Sequence, residues 1–163
     1  MNDILMPRPP STGILLNAMK PLEKETMLYR TVWPADLEFF GLTLPRYDVN
    51  DIVEFKVMTP TAAAPYRETK VTPEMMGGNA LHADWVNADV GRDFYRYEIT
   101  VPKGGFALKF EEHEEYAQRW WYENSEVLLP PMKCRVKNLR DSDNEKCKGI
   151  IEFEYLERLP DPV

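Results

Sequence analysis

The sequence predicts a β-rich α+β domain, and three observations support this fold class. Short stretches in which apolar and polar residues alternate recur along the chain, which is the pattern of half-buried strands. Proline and glycine clusters separate these stretches, as turns do. Thr72-Pro73-Glu74 carries a helix-start signal, a hydroxyl cap followed by proline at the first helical position. A chain of 163 residues with 44% apolar content can bury one ordinary core.

Seven strands are expected, and the clearest is Phe94–Val101, where aromatic and β-branched residues alternate with polar ones. Pro102–Gly105 then turns the chain. The polar segment 140–146 is expected to join the last two strands as a hairpin. A loop is expected at Thr59–Pro65, and a short helix or structured loop at Glu111–Tyr122. The other expected strands are Met27–Trp33, Asp51–Met58, Phe106–Phe110, Glu126–Leu129, Arg135–Leu139 and Gly149–Leu156.

The proline content predicts the domain organisation, and the two cysteines indicate the redox compartment. Residues 1–23 are expected to form an extended proline-containing arm, and residues 24–163 a single domain. Cys134 and Cys147 are too few for a disulfide framework or a metal site. The N-terminus lacks the basic region and long apolar stretch of a signal peptide. We therefore expect reduced thiols and a cytoplasmic protein.

Composition also argues against several function classes. A net charge of −7 is unfavourable for a surface that binds the nucleic-acid backbone. No run approaches the roughly 18 to 20 apolar residues that a membrane-spanning helix needs. Glycine-rich dinucleotide and phosphate-loop motifs are missing. The two histidines, His82 and His113, have no nucleophile pattern around them. His113 stands among glutamates, where the sequence favours a solvated acidic segment over a site for a hard cation, so no metal is expected.

Two charged residues stand at positions where a charge is costly. Glu126 lies at the start of the apolar run Val127–Leu129, where a carboxylate needs a partner or a task. Arg30 stands within the otherwise apolar expected strand Met27–Trp33. An arginine that binds anions and a glutamate that stabilises a cation would suit a substrate that carries phosphates and a reactive sugar.

The order of motifs resembles the mono-ADP-ribosyltransferases of the arginine–serine–glutamate type, which include bacterial toxins and phage-carried enzymes. The resemblance covers roughly Lys24 to Leu156, and three segments carry it: Leu28-Tyr29-Arg30, Tyr97–Gly105 and Glu123–Pro130. It implies a split β-sandwich with a few short helices, and NAD as the substrate. It also implies a protein acceptor, and by analogy an effector that acts in the cytoplasm, delivered by a phage or associated with a virion.

The resemblance implies a role for each candidate residue. Arg30, beside Tyr29, would bind the phosphates of NAD, where a planar guanidinium is better than an ammonium. Glu126 would stabilise the oxocarbenium ion that forms when the nicotinamide–ribose bond breaks. Thr72 would hydrogen-bond Glu126, and Asn124 would face the acceptor. Phe94, Tyr95 and Trp85 are candidates for stacking on nicotinamide.

Two positions depart from the family pattern. Thr72-Pro73-Glu74 stands where Ser-Thr-Ser is usual, and Asn124 replaces the usual Glu or Gln two residues before the catalytic glutamate. Simpler roles exist for each residue: Arg30 in an ion pair, Thr72 as a helix cap, and Asn124 with Glu126 at a strand edge. The alternative functions are a catalytically inactive structural or binding module on the same fold, such as a virion component, and an NAD glycohydrolase.

Overall fold

The computed structural model describes residues 12–65, 70–88, 90–113 and 126–160. These residues form nine strands, three α-helices and two single turns of 3-10 helix, so the α+β class is confirmed. The helices are α1 (Thr12–Ala18), α2 (Pro34–Phe39) and α3 (Ala80–Asn87), and the 3-10 turns are Glu74–Met76 and Phe110–Glu112. The strands are β1 (Lys20–Pro21), β2 (Thr26–Val32), β3 (Ile52–Phe55), β4 (Thr59–Ala62), β5 (Phe94–Val101), β6 (Phe106–Lys109), β7 (Glu126–Leu129), β8 (Met132–Arg140) and β9 (Cys147–Arg158).

The strands pair in the order β1-β6-β7-β4-β2-β5-β9-β8-β3. All neighbouring pairs are antiparallel except β5 and β9, which run parallel. The expected hairpin is confirmed, because β8 ends at Arg140 and its antiparallel neighbour β9 begins at Cys147. Strands that are distant in sequence, β2, β4 and β7, become neighbours near the middle of the order.

The sheet is strongly curved, as ring contacts across it show. Phe55 on β3 and Tyr97 on β5 are three strand spacings apart, which is roughly 14 Å in a flat sheet. Their ring centroids are only 6.4 Å apart, and both rings contact Phe153 edge-on. The side chains on this concave face therefore converge into one core. Its buried members are Leu22, Leu28, Tyr97, Ile99, Val101, Ala107, Val127, Leu129, Met132, Cys134, Val136, Ile151 and Phe153.

The convex face carries the alternate residues of the same strands. Towards one edge of the sheet, α1 covers it, and Leu16 and Met19 pack on Leu108 of β6 and Leu128 of β7. Polar and charged side chains lie further along, on β5, β9 and β8. The two faces therefore differ in chemistry although they share a backbone.

Part of the expected N-terminal arm is folded. Residues 1–11 lie outside the described residues, but residues 12–21 include α1 and the short strand β1. Leu16, Met19 and Leu22 are buried, so this segment has apolar side chains that an extended arm would expose to water. Leu22 also exchanges two backbone hydrogen bonds with the turn at Gly104 and Gly105.

The loop expected at Thr59–Pro65 is wrong in its first half. Residues Thr59–Ala62 form β4, which pairs with β7 on one side and meets β2 at Tyr29 on the other. Pro60 made a strand improbable from sequence, since proline cannot donate to a strand ladder. The short strand accommodates it opposite Leu128, and its three other residues are buried.

The helix expected after Thr72 is only the single 3-10 turn Glu74–Met76. It ends at Gly77, whose φ of 66° is a left-handed conformation that glycine adopts without strain. The α-helix begins three residues later, at Ala80. Among the described residues, no helix is long and apolar enough to cross a membrane.

Candidate active site

Glu126 lies in a row of residues that crosses the sheet. Cα partners on neighbouring strands share a face, and Glu126 pairs with Ala62, which in turn pairs with Tyr29. The row continues over the central strands on the convex face. From one side to the other it consists of Glu126, Ala62, Tyr29, Glu98, Glu152 and Asn138.

Arg30 lies on the concave face. It follows Tyr29 in β2, and successive strand residues point to opposite faces. Its Nη1 donates a hydrogen bond to the carbonyl oxygen of Pro60, 2.9 Å away. Burial raises the pKa of Tyr97, and the nearby Arg30 charge opposes that rise. Arg30 thus lies beside a core residue, and the structure does not bring Arg30 and Glu126 to one face.

Thr72 is exposed and has a local partner. Its hydroxyl accepts a hydrogen bond from the backbone N–H of Met75, 3.4 Å away, at the entry to the 3-10 turn. This geometry matches the helix-cap alternative rather than a bond to Glu126.

The sequence interpretation missed Thr61, a hydroxyl residue beside Glu126. Thr61 is buried on β4, and its Oγ1 donates to the carbonyl oxygen of Val127 across 2.6 Å. Because Val127 directly follows Glu126, this bond fixes the β7 backbone next to the carboxylate. The available signal was Thr59-Pro60-Thr61, two hydroxyls flanking a proline between expected strands.

The three aromatic candidates for stacking on nicotinamide differ in their surroundings. Phe94 is 1% exposed and packs with Cys147, Ile150 and Trp33, so its ring belongs to a buried cluster and is not available for stacking. Tyr95 is half-buried against Gly149, where an added Cβ would lie 3.4 Å from its ring. Trp85 belongs to α3, but its side chain lies outside the described residues, as does the whole of Asn124.

The convex face holds a buried carboxylate between two arginines. The Glu98 side chain is 7% exposed and accepts hydrogen bonds from Arg96 Nε, at 3.0 Å, and from Arg140 Nη2. Arg140 also donates to Glu152, and its hydrogen bond to Glu98 raises the pKa of Arg140. The Arg96 guanidinium carbon lies 6.0 Å from the centre of the Tyr29 ring. These pairings neutralise a charge that would otherwise be costly to bury.

A cavity of about 490 Å³ opens beside this cluster. Loop residues 44–47 and parts of β5, β8 and β9 surround it, and Arg140 lies on its wall. Arg46, Arg140 and Lys148 are its cations, and Asp141 is its carboxylate. Arg140 therefore contacts both this cavity and Glu98.

Neither a protein-family model nor a curated protein matches the sequence. Solved structures do match the fold, and three of them are proteins from bacteria. C3stau2 from S. aureus, solved with NAD, is 15% identical with a TM-score of 0.55 over 85% of this chain and 65% of that one. The C3 exoenzyme of Clostridium limosum is 14% identical with a TM-score of 0.54, over 83% and 62%. Plx2a, an ADP-ribosyltransferase toxin from Paenibacillus larvae, is 14% identical with a TM-score of 0.54, over 89% and 67%.

These likenesses concern the fold, because the identities are low. The chain has the fold of ADP-ribosyltransferases, as the resemblance of its motifs implied. It spans about two thirds of the length of each of these three proteins.

Proposed function

We propose that the chain is an NAD-dependent mono-ADP-ribosyltransferase that modifies a protein, with Glu126 as its catalytic carboxylate. One observation carries the proposal. Residues 126–129 of the segment that resembles the family's closing motif form β7 within a fold shared with ADP-ribosyltransferases, and Glu126 is the first residue of that strand. Glu126 is half-buried there, so its charge can act on a bound sugar with little screening by water.

The chemistry begins with cleavage of the bond between nicotinamide and ribose. The bonding electron pair leaves with nicotinamide, and positive charge develops on the ribose. The Glu126 carboxylate stabilises this oxocarbenium ion, as a carboxylate does in glycoside hydrolysis. A nucleophile of the acceptor protein then bonds to the ribose carbon and releases its proton. The resemblance gives Asn124 the position that faces this acceptor.

Thr61 serves as a positioning residue in this proposal. Its hydrogen bond to the Val127 carbonyl fixes the backbone from which the Glu126 side chain extends. Thr61 acts through the β7 backbone, whereas the resemblance implies a direct hydrogen bond from Thr72 to Glu126. For Arg30, the resemblance implies a contact with the NAD phosphates, whereas the strand register places it on the face opposite Glu126.

The test uses purified protein with NAD labelled in its ADP-ribose part. Nicotinamide release and label transfer to lysate proteins are both measured for the wild type and for Glu126→Gln. We expect both activities to fall at least about 100-fold in the variant, the loss typical of removing a transition-state-stabilising group. Glu157→Gln is the matched control, because Glu157 is exposed and pairs with Lys133 on the surface.

Two outcomes would contradict the proposal. Release without transfer would indicate an NAD glycohydrolase. Absence of release, together with a melting temperature that NAD does not raise, would leave a non-catalytic module built on this fold.

A further inference from the structure

We propose that the outer edge of β3 is an interface through which two copies of this chain pair about a two-fold axis. β3 ends the strand order, so among the described residues no strand lies along its outer edge. Such an edge presents free backbone N–H and C=O groups and is a template for another strand. The inference is independent of the proposed activity, because β3 carries none of the residues assigned to catalysis.

The pairing of β3 with β8 shows which backbone groups face outward. The N–H of Val136 on β8 donates a hydrogen bond to the carbonyl oxygen of Asp51, 2.8 Å away. In an antiparallel ladder, alternate residues turn their backbone groups to the same neighbour. Asp51 and the odd-numbered residues of β3 therefore turn these groups to β8. Glu54, and Lys56 directly after the strand, turn theirs to the outer edge.

The charges of these two outward residues are not paired within the chain. Glu54 and Lys56 are exposed, and neither forms an ion pair with any described residue. Lys133 lies opposite Glu54 on β8, but its ammonium pairs with Glu157 of β9 instead, at 3.1 Å. The edge therefore presents one unpaired carboxylate and one unpaired ammonium, two residues apart on the same face of the sheet.

Two-fold symmetry allows only one register to join these two charges. An antiparallel pair centred on Glu54 would place this carboxylate opposite its own copy, and one centred on Lys56 would oppose the two ammonium groups. A pair centred on Phe55 places Glu54 opposite Lys56 of the second copy, and does so twice. In that register the outward backbone groups of these two residues also meet and can exchange hydrogen bonds. The edge is therefore complementary to itself, which selects a second copy as its partner.

Exposed apolar side chains flank this charged pair. Ile52 is 56% exposed and Val57 is 73% exposed, so a second strand laid along the edge would remove apolar surface from water. Phe55, whose ring contacts Phe153 edge-on, would lie at the axis beside its own copy. The contact is short, so we expect weak association that depends on protein concentration.

Sedimentation equilibrium of the purified full chain near neutral pH measures this association as a Kd. We expect the wild type to dimerise. Glu54→Lys and Lys56→Glu should each raise the Kd roughly tenfold or more, because each change places like charges opposite one another at two positions. Glu145→Lys is the matched control with the same change of charge. Glu145 lies in the turn after Arg140, at the end of β8 away from β3, so its Kd should equal that of the wild type.

Mixing the two single variants tests the register itself. When one copy carries Glu54→Lys and the other carries Lys56→Glu, opposite charges face each other at both positions. We therefore expect the equal mixture to dimerise about as tightly as the wild type, although each variant alone associates weakly. A general loss of folding or solubility in the single variants would not be reversed by mixing.

Four results would overturn the inference. A wild type that stays monomeric at about 1 mM would do so, including the case in which the edge pairs with a different protein. Single variants that dimerise as the wild type does would place the interface elsewhere. A mixture that stays monomeric would refute the pairing of Glu54 with Lys56. Species larger than a dimer would contradict a closed two-fold contact, which uses each edge once.

Discussion

The concave and convex faces of the sheet are built from alternate residues of the same strands, yet different forces stabilise them. On the concave face, the rings of Phe55, Tyr97 and Phe153 meet edge-on within an apolar core. On the convex face, the buried Glu98 forms an ion pair with the half-buried Arg96. Apolar burial contributes directly to stability. A buried ion pair must first overcome the loss of hydration, so its larger effect is to fix the geometry of its side chains.

The largest effect is expected in the concave core. Phe153 is fully buried, and its ring contacts Tyr47, Phe55 and Tyr97. Phe153→Ala should lower the free energy of unfolding by about 3–5 kcal/mol, through lost transfer energy and the cavity left behind. Urea unfolding measures this loss. The matched control is Phe106→Ala, since that ring is 38% exposed; an equal loss in the two variants would contradict the comparison.

A smaller effect is expected on the convex face. Glu98→Ala leaves Arg96 and Arg140 without their shared acceptor and should lower the unfolding free energy by roughly 1–3 kcal/mol. Water can solvate the unpaired charge of Arg140 in part, because its side chain is 42% exposed. Glu154→Ala breaks a pair exposed on both sides and should change stability by less than about 1 kcal/mol. Equal effects of the two changes in urea unfolding would show that the Glu98 cluster behaves as an ordinary surface pair.

The smallest effect at neutral pH is a pH dependence that belongs to the concave face, because it appears only as the pH rises above 9. Burial raises the pKa of the Cys134 thiol from 9.0 to about 12. The unfolded chain therefore loses this proton at lower pH than the folded chain. The stability contribution is complete below pH 9 and falls between pH 9 and 12, by about 1.4 kcal/mol per pH unit.

Unfolding curves from pH 8 to 10.5 for the wild type and for Cys134→Ala measure this slope. Burial also raises the pKa of Tyr47 and of Tyr97, which adds a loss of the same sign above pH 10 in both proteins. The variant should therefore lose stability less steeply with pH. If the unfolding free energies of the two proteins fell equally with pH, the prediction that burial raises the pKa of the Cys134 thiol would be wrong.

Most of the strands could be predicted because each carries a local pattern. Phe94–Val101 and Glu126–Leu129 coincide with β5 and β7, and the β8–β9 hairpin lies where the polar turn indicated. β4 could not be predicted, since Pro60 opposes a strand locally and only pairing with β7 stabilises one. The helix α1 was missed because its apolar residues gain stability only by packing on β6 and β7.

For the candidate site, the sequence singled out individual residues but not their arrangement. The sequence singled out Glu126 and Arg30 from their unusual settings, and both lie on strands close to β4. Which face each side chain occupies depends on register, and a shift by one residue reverses it. The register of β7 on β4 and of β4 on β2 arises from contacts distant in sequence, so Thr61 became a candidate only in three dimensions.

The parallel pairing of β5 with β9 has a consequence for how the chain folds. Tyr97 pairs with Ile151, 54 residues later, so the centre of the sheet cannot form by extending a hairpin. A long segment must be ordered before these contacts form, and topologies dominated by such distant pairings fold in roughly milliseconds to seconds. The β8–β9 hairpin is local and can form first. During that interval the edge of β9 has no β5 to pair with, and an unpaired strand edge can associate with other chains.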